Sequence, residues 1–153
     1  MKIFIRGVEE KKKKYLIRKV EAYIKLLVIS GVDDHYLSIS IKKKMKKDDL
    51  GAFLLQSVRR ESDDIDTHHR IELNANILGN RYYLLKTLFH EMVHMRQYIT
   101  RELIWVRWNS NSYIRAIWKK KNVGRIEDIN YWEQPWEVEA HELDRKYWEE
   151  RKL

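Results

Sequence analysis

The feature that most constrains the fold is the stretch ILGNRYYLLKTLFHEMVHMRQYITRE, residues 77–102. It reads as one long helix from about Asn80, a residue type whose side chain caps helices by accepting backbone N–H groups. Leu84, Leu85, Leu88 and Val93 carry most of its apolar surface. His90, Glu91 and His94 lie among Leu88, Phe89 and Val93 and are therefore expected on a buried face. Two imidazoles and a carboxylate are expensive to bury without partners. Whatever fold the chain adopts must bring partners to them.

The spacing suggests what those partners do. Helical residues four apart share a face, about 40° apart around the axis. His90 and His94 can then aim ring nitrogens at one point about 2.0–2.1 Å away, the Zn–N bond length. Glu91, rotated about 100° from His90, flanks such an ion and is placed to take a proton from water that the metal activates. A hydrolytic zinc needs three protein ligands and an open position. The chain has no cysteine, which excludes disulfides, thiolate sites and cysteine nucleophiles and leaves His, Asp and Glu as ligands.

The third ligand is expected in QPWEVEAHELD, which opens with the single proline, Pro135, a helix-starting residue. Glu137, His141 and Asp144 share a helical face at i, i+4 and i+7. Glu137 is the expected ligand, with Glu139 and His141 as alternatives. Ala140 is small enough to let two helices approach. If Glu137 binds the ion, His141 and Asp144 fall into the surrounding shell that orients the ligands.

The remaining chain reads as a single α+β domain over residues 1–153. KIFIRG predicts a first strand, and Leu16, Val20, Tyr23, Ile24 and Leu27 predict a helix from about Glu9 to Ser30 that Gly31 stops. HYLSISIK alternates as a half-buried strand, AFLLQSVRR follows a turn, and HHRIELNA is a third such strand. Asn109 to Ser112 predict a hairpin or long loop before the last helix. The six tryptophans are expected mainly in the core, with Trp132 and Trp136 as candidates to border a cleft. His35, His68 and His69 are expected in surface or satisfied polar roles.

With HEMVHMRQY on one helix and EVEA on a later one, the chain resembles the gluzincin metallopeptidases, in particular short single-domain ones encoded by phages and other viruses. The likeness spans roughly Ile71 to Tyr147; the first 60 residues share only the order of elements. It implies a zincin-like fold: a small, mostly antiparallel sheet, an N-terminal helix, an active-site helix and a C-terminal helix with the third ligand. It implies Zn2+ held by His90, His94 and Glu137, Glu91 as general base and acid, and a peptide or protein substrate. It also implies that HRIELN is an edge strand that pairs with the substrate. Gluzincins often carry an acidic residue four positions after the third ligand, where this chain has His141. The family's oxyanion-stabilising residue has no motif here; Tyr131, Tyr113 and His141 are candidates. SprT-like proteases, which act on proteins attached to DNA, share HExxH, but AHELD lacks their glycine. A non-enzymatic zinc-fold interaction protein is the third reading.

Charge bears on partners. Residues 1–60 hold 16 Lys/Arg against 7 Asp/Glu, whereas residues 61–153 hold 15 against 16. Lys11–Lys14 and Lys42–Lys47 concentrate the excess, which is either a solvated face or a nucleic-acid footprint. No apolar run is long enough for a transmembrane helix. The N-terminus has the reverse order of a signal peptide, so the expected location is the cytoplasm, or a host-cell interior if the chain is viral.

Overall fold

The computed structural model describes residues 1–45, 49–54, 67–107 and 113–150, with Arg107 and Glu150 described by their backbone alone. The fold is α+β. In chain order its elements are β1 (Lys2–Arg6), α1 (Glu10–Leu26), β2 (Tyr36–Lys42), β3 (Gly51–Leu54), β4 (His68–Asn74), α2 (Arg81–Ile99), β5 (Leu103–Arg107), β6 (Ile114–Trp118), β7 (Lys121–Arg125) and α3 (Pro135–Glu150). Short 3-10 turns lie at Ala75–Ile77, Ile126–Asp128 and Tyr131–Glu133. Packing divides the described residues into two compact units, one through Val93 and one from His94 onward. The border falls inside α2, which is one unbroken helix.

In the first unit a four-stranded sheet has the order β1-β2-β4-β3. β1 pairs with β2 and β2 with β4 in parallel, and β3 runs antiparallel to β4. This sheet is therefore mixed rather than mostly antiparallel. β4, expected at an edge, is bonded on both sides, and β3 is the outer strand beside it. Alternation does the sorting: Ile5, Leu37, Ile39, Ile71 and Leu73 are buried on one face. α1 contributes Leu16, Val20 and Tyr23 to the core, and α2 contributes Leu84, Leu88, Phe89 and Met92. Tyr23 and Phe89 meet edge to face at 5.1 Å. His35 and His69 are buried and joined by a 2.8 Å hydrogen bond between Nδ1 of His35 and Nε2 of His69, while His68 is exposed.

Asn80 caps α2 as its sequence predicts, accepting from the N–H groups of Tyr82 and Tyr83 at 3.1 and 3.2 Å. α1 ends earlier than predicted. Ile29 N–H donates to the Ile24 carbonyl and Val28 N–H to that of Lys25, a Schellman closure whose left-handed position is Val28 (φ 53) and not Gly31.

In the second unit β5, β6 and β7 form an antiparallel sheet in that order. Leu103, Ala116 and Trp136 form its core, with Trp105, Trp118, Ile126 and Ile129 packed against them. Of the two tryptophans set apart from the core expectation, Trp132 is 69% exposed and Trp136 is buried in this core. β7 was not expected. Its two-residue turn, Lys119 and Lys120 at φ 47 and 69, needs the left-handed geometry of a type I′ hairpin, yet has no Asn or Gly to signal it. The predicted hairpin tip at Asn109–Ser112, the distal part of AFLLQSVRR, Trp108, and Lys46 and Lys47 lie outside the described residues. Among the described residues no helix is long and apolar enough to cross a membrane.

Val28 is 80% exposed, so its side chain contributes little packing to offset a left-handed backbone that disfavours a β-branched residue by about 1–2 kcal/mol. Val28→Gly is expected to raise stability by about 1 kcal/mol in urea denaturation.

Candidate metal centre

α2 carries His90, Glu91, His94 and Gln97, all buried. His90 and His94 are one turn apart on the same unbroken helix, so helical geometry alone puts both rings on one side. Glu91 lies under β3. A Cβ added to Gly51 would come within 2.6 Å of Thr87 Cγ2 and 3.1 Å of Glu91 Cγ and Oε1. The absence of a side chain at position 51 is what leaves the Glu91 carboxylate its room.

The second unit supplies the partners of His94. Gln97 is fully buried. Its amide nitrogen donates to the Trp136 carbonyl at 3.0 Å and to Glu139 Oε2 at 2.9 Å, and its oxygen lies 2.9 Å from His94 Nδ1. Only one amide orientation fits this set. Flipping it would turn the oxygen toward a carbonyl and a carboxylate, which cannot donate. The oxygen must therefore accept from His94, so Nδ1 carries a hydrogen, and of the two neutral tautomers this is the one that leaves the lone pair on Nε2. Nε2 lies 3.3 Å from Glu137 Oε2.

That distance is informative. A charge-assisted N–H···O bond is about 2.7–2.9 Å. Two ligand atoms bonded to one tetrahedral ion at about 2.0–2.1 Å stand about 3.3–3.4 Å apart along the tetrahedron's edge. In the neutral tautomer that Gln97 selects, Nε2 faces the carboxylate oxygen at a separation that suits two ligands of one cation.

Glu139, the alternative carboxylate, is spoken for. It accepts from Arg96 at 2.7 Å, from Lys119 at 2.8 Å and from Gln97. Burial pushes its carboxyl up, but the hydrogen bonds from Lys119 and Gln97 and the charges of Arg96 and Lys119 outweigh this and hold it below the usual carboxylate range. Glu137 and Glu139, two apart in sequence, are thereby sorted into different roles. His141 sits against the exposed Tyr131 and Trp132: Tyr131 Oη is 3.3 Å from its Nε2, and the Trp132 ring centre is 5.0 Å from its own. Nδ1 of His141 is 3.8 Å from the buried Asp144 carboxylate. Tyr113, another oxyanion candidate, lies beneath the Arg125 guanidinium at 3.5 Å. Gln97 was not singled out by the sequence, where it looks like one more polar residue; its signal is the i+3 spacing from His94.

No protein-family model, curated protein or solved structure matches the chain. The chemistry of these side chains is thus the ground for a functional reading.

Because Glu139 ionises more readily in the folded chain, the unfolded chain holds more protons at this site at low pH. Its stabilisation is complete above the unfolded value near 4.5 and is lost as pH falls through the lower folded value. Glu139→Gln is expected to lose about 1–2 kcal/mol at neutral pH, discounted for its partial exposure. In urea titrations across pH, the gap between the two proteins should narrow below about pH 4.5.

Proposed function

We propose that the protein is a zinc-dependent peptidase in which His90, His94 and Glu137 hold the ion and Glu91 is the general base and acid. The observation that carries this reading is the His94–Glu137 pair: an imidazole whose Nδ1 is held by Gln97 and whose Nε2 is set 3.3 Å from a buried carboxylate oxygen. His90 stands one turn earlier on the same helix. A donor set of two imidazoles and one carboxylate suits zinc and leaves a coordination position open.

Bound zinc supplies a Lewis acid that acidifies water and polarises a peptide carbonyl. The chain's own residues do the rest. His94 is oriented by Gln97, and Glu137 is carried in the first turn of α3. Glu91 takes the proton of the attacking water and passes it to the leaving nitrogen, so one carboxylate serves as base and then acid. Gly51 gives that carboxylate space.

A second reading has its own observation. His90, Glu137 and His141 form a group of donors able to hold a metal ion. That group does not include His94; a site closed by His94 as a fourth protein ligand would be structural. The two readings part at Glu91, which only the enzyme needs.

Metal analysis of purified protein is expected to find about one zinc per chain in wild type and in Glu91→Gln, and strongly reduced zinc in His94→Ala and Glu137→Ala. On a peptide library Glu91→Gln should lose about 100-fold to 10,000-fold in rate. An active Glu91→Gln protein removes the mechanism. A zinc-loaded wild type that cleaves no peptide favours the structural site.

A further inference from the structure

The outer face of the four-stranded sheet is built differently from an ordinary solvated surface. Strand register places Lys2, Tyr36 and His68 in one row across β1, β2 and β4, and Phe4, Ser38 and Arg70 in the next. Tyr36 and His68 stack with ring centres 4.9 Å apart and planes 4° apart; Phe4 and Tyr36 follow at 6.3 Å and 12°. Three near-parallel rings therefore run across three strands. Phe4 is 51% exposed, and its alternating position directs it away from the core that Ile5 enters. About half of that ring therefore stays in water in the folded chain.

Cations surround the rings. Lys2 Nζ stands 5.2 Å from the centre of the Tyr36 ring. Arg6 and Arg70 are exposed, and Lys42 lies at the end of β2. Among the described strand positions of this face the acidic residue is Glu72, 3.1 Å from Lys42 and 3.7 Å from Arg70. The face is left net positive around an aromatic stack.

We propose that this face binds single-stranded nucleic acid, with bases extending the ring stack and phosphates held by the flanking cations. Planar bases stack on aromatic rings whatever their sequence, and positive charge tracks the backbone. A duplex keeps its bases stacked on one another and cannot offer them to a flat face. The lysines of α1 belong to a different surface feature, whose ring, Tyr15, lies against Lys19 and Arg81. This inference does not rest on the peptidase reading, and its test uses no cleavage.

Fluorescence anisotropy with a labelled oligothymidylate, repeated with an oligouridylate, tests it on the full chain. Saturable binding to either single strand is expected, with an unlabelled duplex of equal length competing poorly. Phe4→Ala should weaken binding about tenfold or more while leaving the circular dichroism spectrum unchanged. The Lys2→Gln, Arg6→Gln pair should weaken it too and flatten the log–log salt dependence by about 1.4, near 0.7 for each phosphate left without its cation. The Lys11→Gln, Lys14→Gln pair, which removes the same charge from exposed positions of α1, should leave affinity within about twofold. The proposal is overturned by no saturable binding at low salt, by equal competition from duplex, or by wild-type affinity in Phe4→Ala. Equal weakening by the α1 pair overturns it as well. So does sedimentation showing a dimer that Phe4→Ala dissociates, because the face would then bind a second copy of this chain.

Discussion

One buried amide governs the candidate metal centre. Gln97 has no contact with solvent, so each of its polar atoms must be satisfied within the protein. Two acceptors on α3, the Trp136 carbonyl and the Glu139 carboxylate, claim its nitrogen. Its oxygen is left with a single possible role, as acceptor for His94. The side chain thereby fixes the ring orientation and tautomer of His94, and it ties the end of α2 to the first turn of α3. Glu137 directly follows Trp136 in sequence, so the bond that steadies His94 also locates Glu137.

Around this amide nearby cations separate the two carboxylates of EVE. Residues two apart on a helix point about 200° apart, which sends Glu137 toward His94 and Glu139 toward Arg96 and Lys119. Arg96 also reaches Glu102, so the cluster links α2, α3 and the β6–β7 turn. Lys119 makes its contact from a left-handed backbone position. The ion pair and the Lys119 ammonium over the Trp118 ring at 4.9 Å are the compensations that accompany that local cost. The pair of carboxylates in EVE is thus one motif with two jobs, and nearby cations decide which carboxylate does which.

Local signals in the sequence were readable where chemistry is local. Asn80 at the start of α2, Pro135 at the start of α3 and the alternation in HYLSISIK each act through their own neighbours, and each element forms where they indicate. Non-local features were not readable. Ile71 and Leu73 alternate identically whether β4 is an edge or an interior strand, and nothing in β1 or β2 announces parallel pairing. The Lys119–Lys120 turn lacks its usual residues because Lys119 is there for Glu139, a partner 20 positions away. Val28 replaces glycine as the left-handed stop of α1 for no reason that its exposed side chain supplies. The burial of the two histidines follows from their apolar neighbours on α2; Gln97 has only its i+3 spacing from His94 as a signal, because its burial depends on α3 arriving.

The tautomer of His94 is where this account is most exposed. A two-bond proton–nitrogen correlation spectrum of the metal-stripped protein, with His94 assigned, reads the two ring nitrogens separately. The account predicts a hydrogen on Nδ1 and an unprotonated Nε2. A neutral ring bearing its hydrogen on Nε2 would contradict it, since that nitrogen could then neither be held for a cation nor leave Gln97 an acceptor's role.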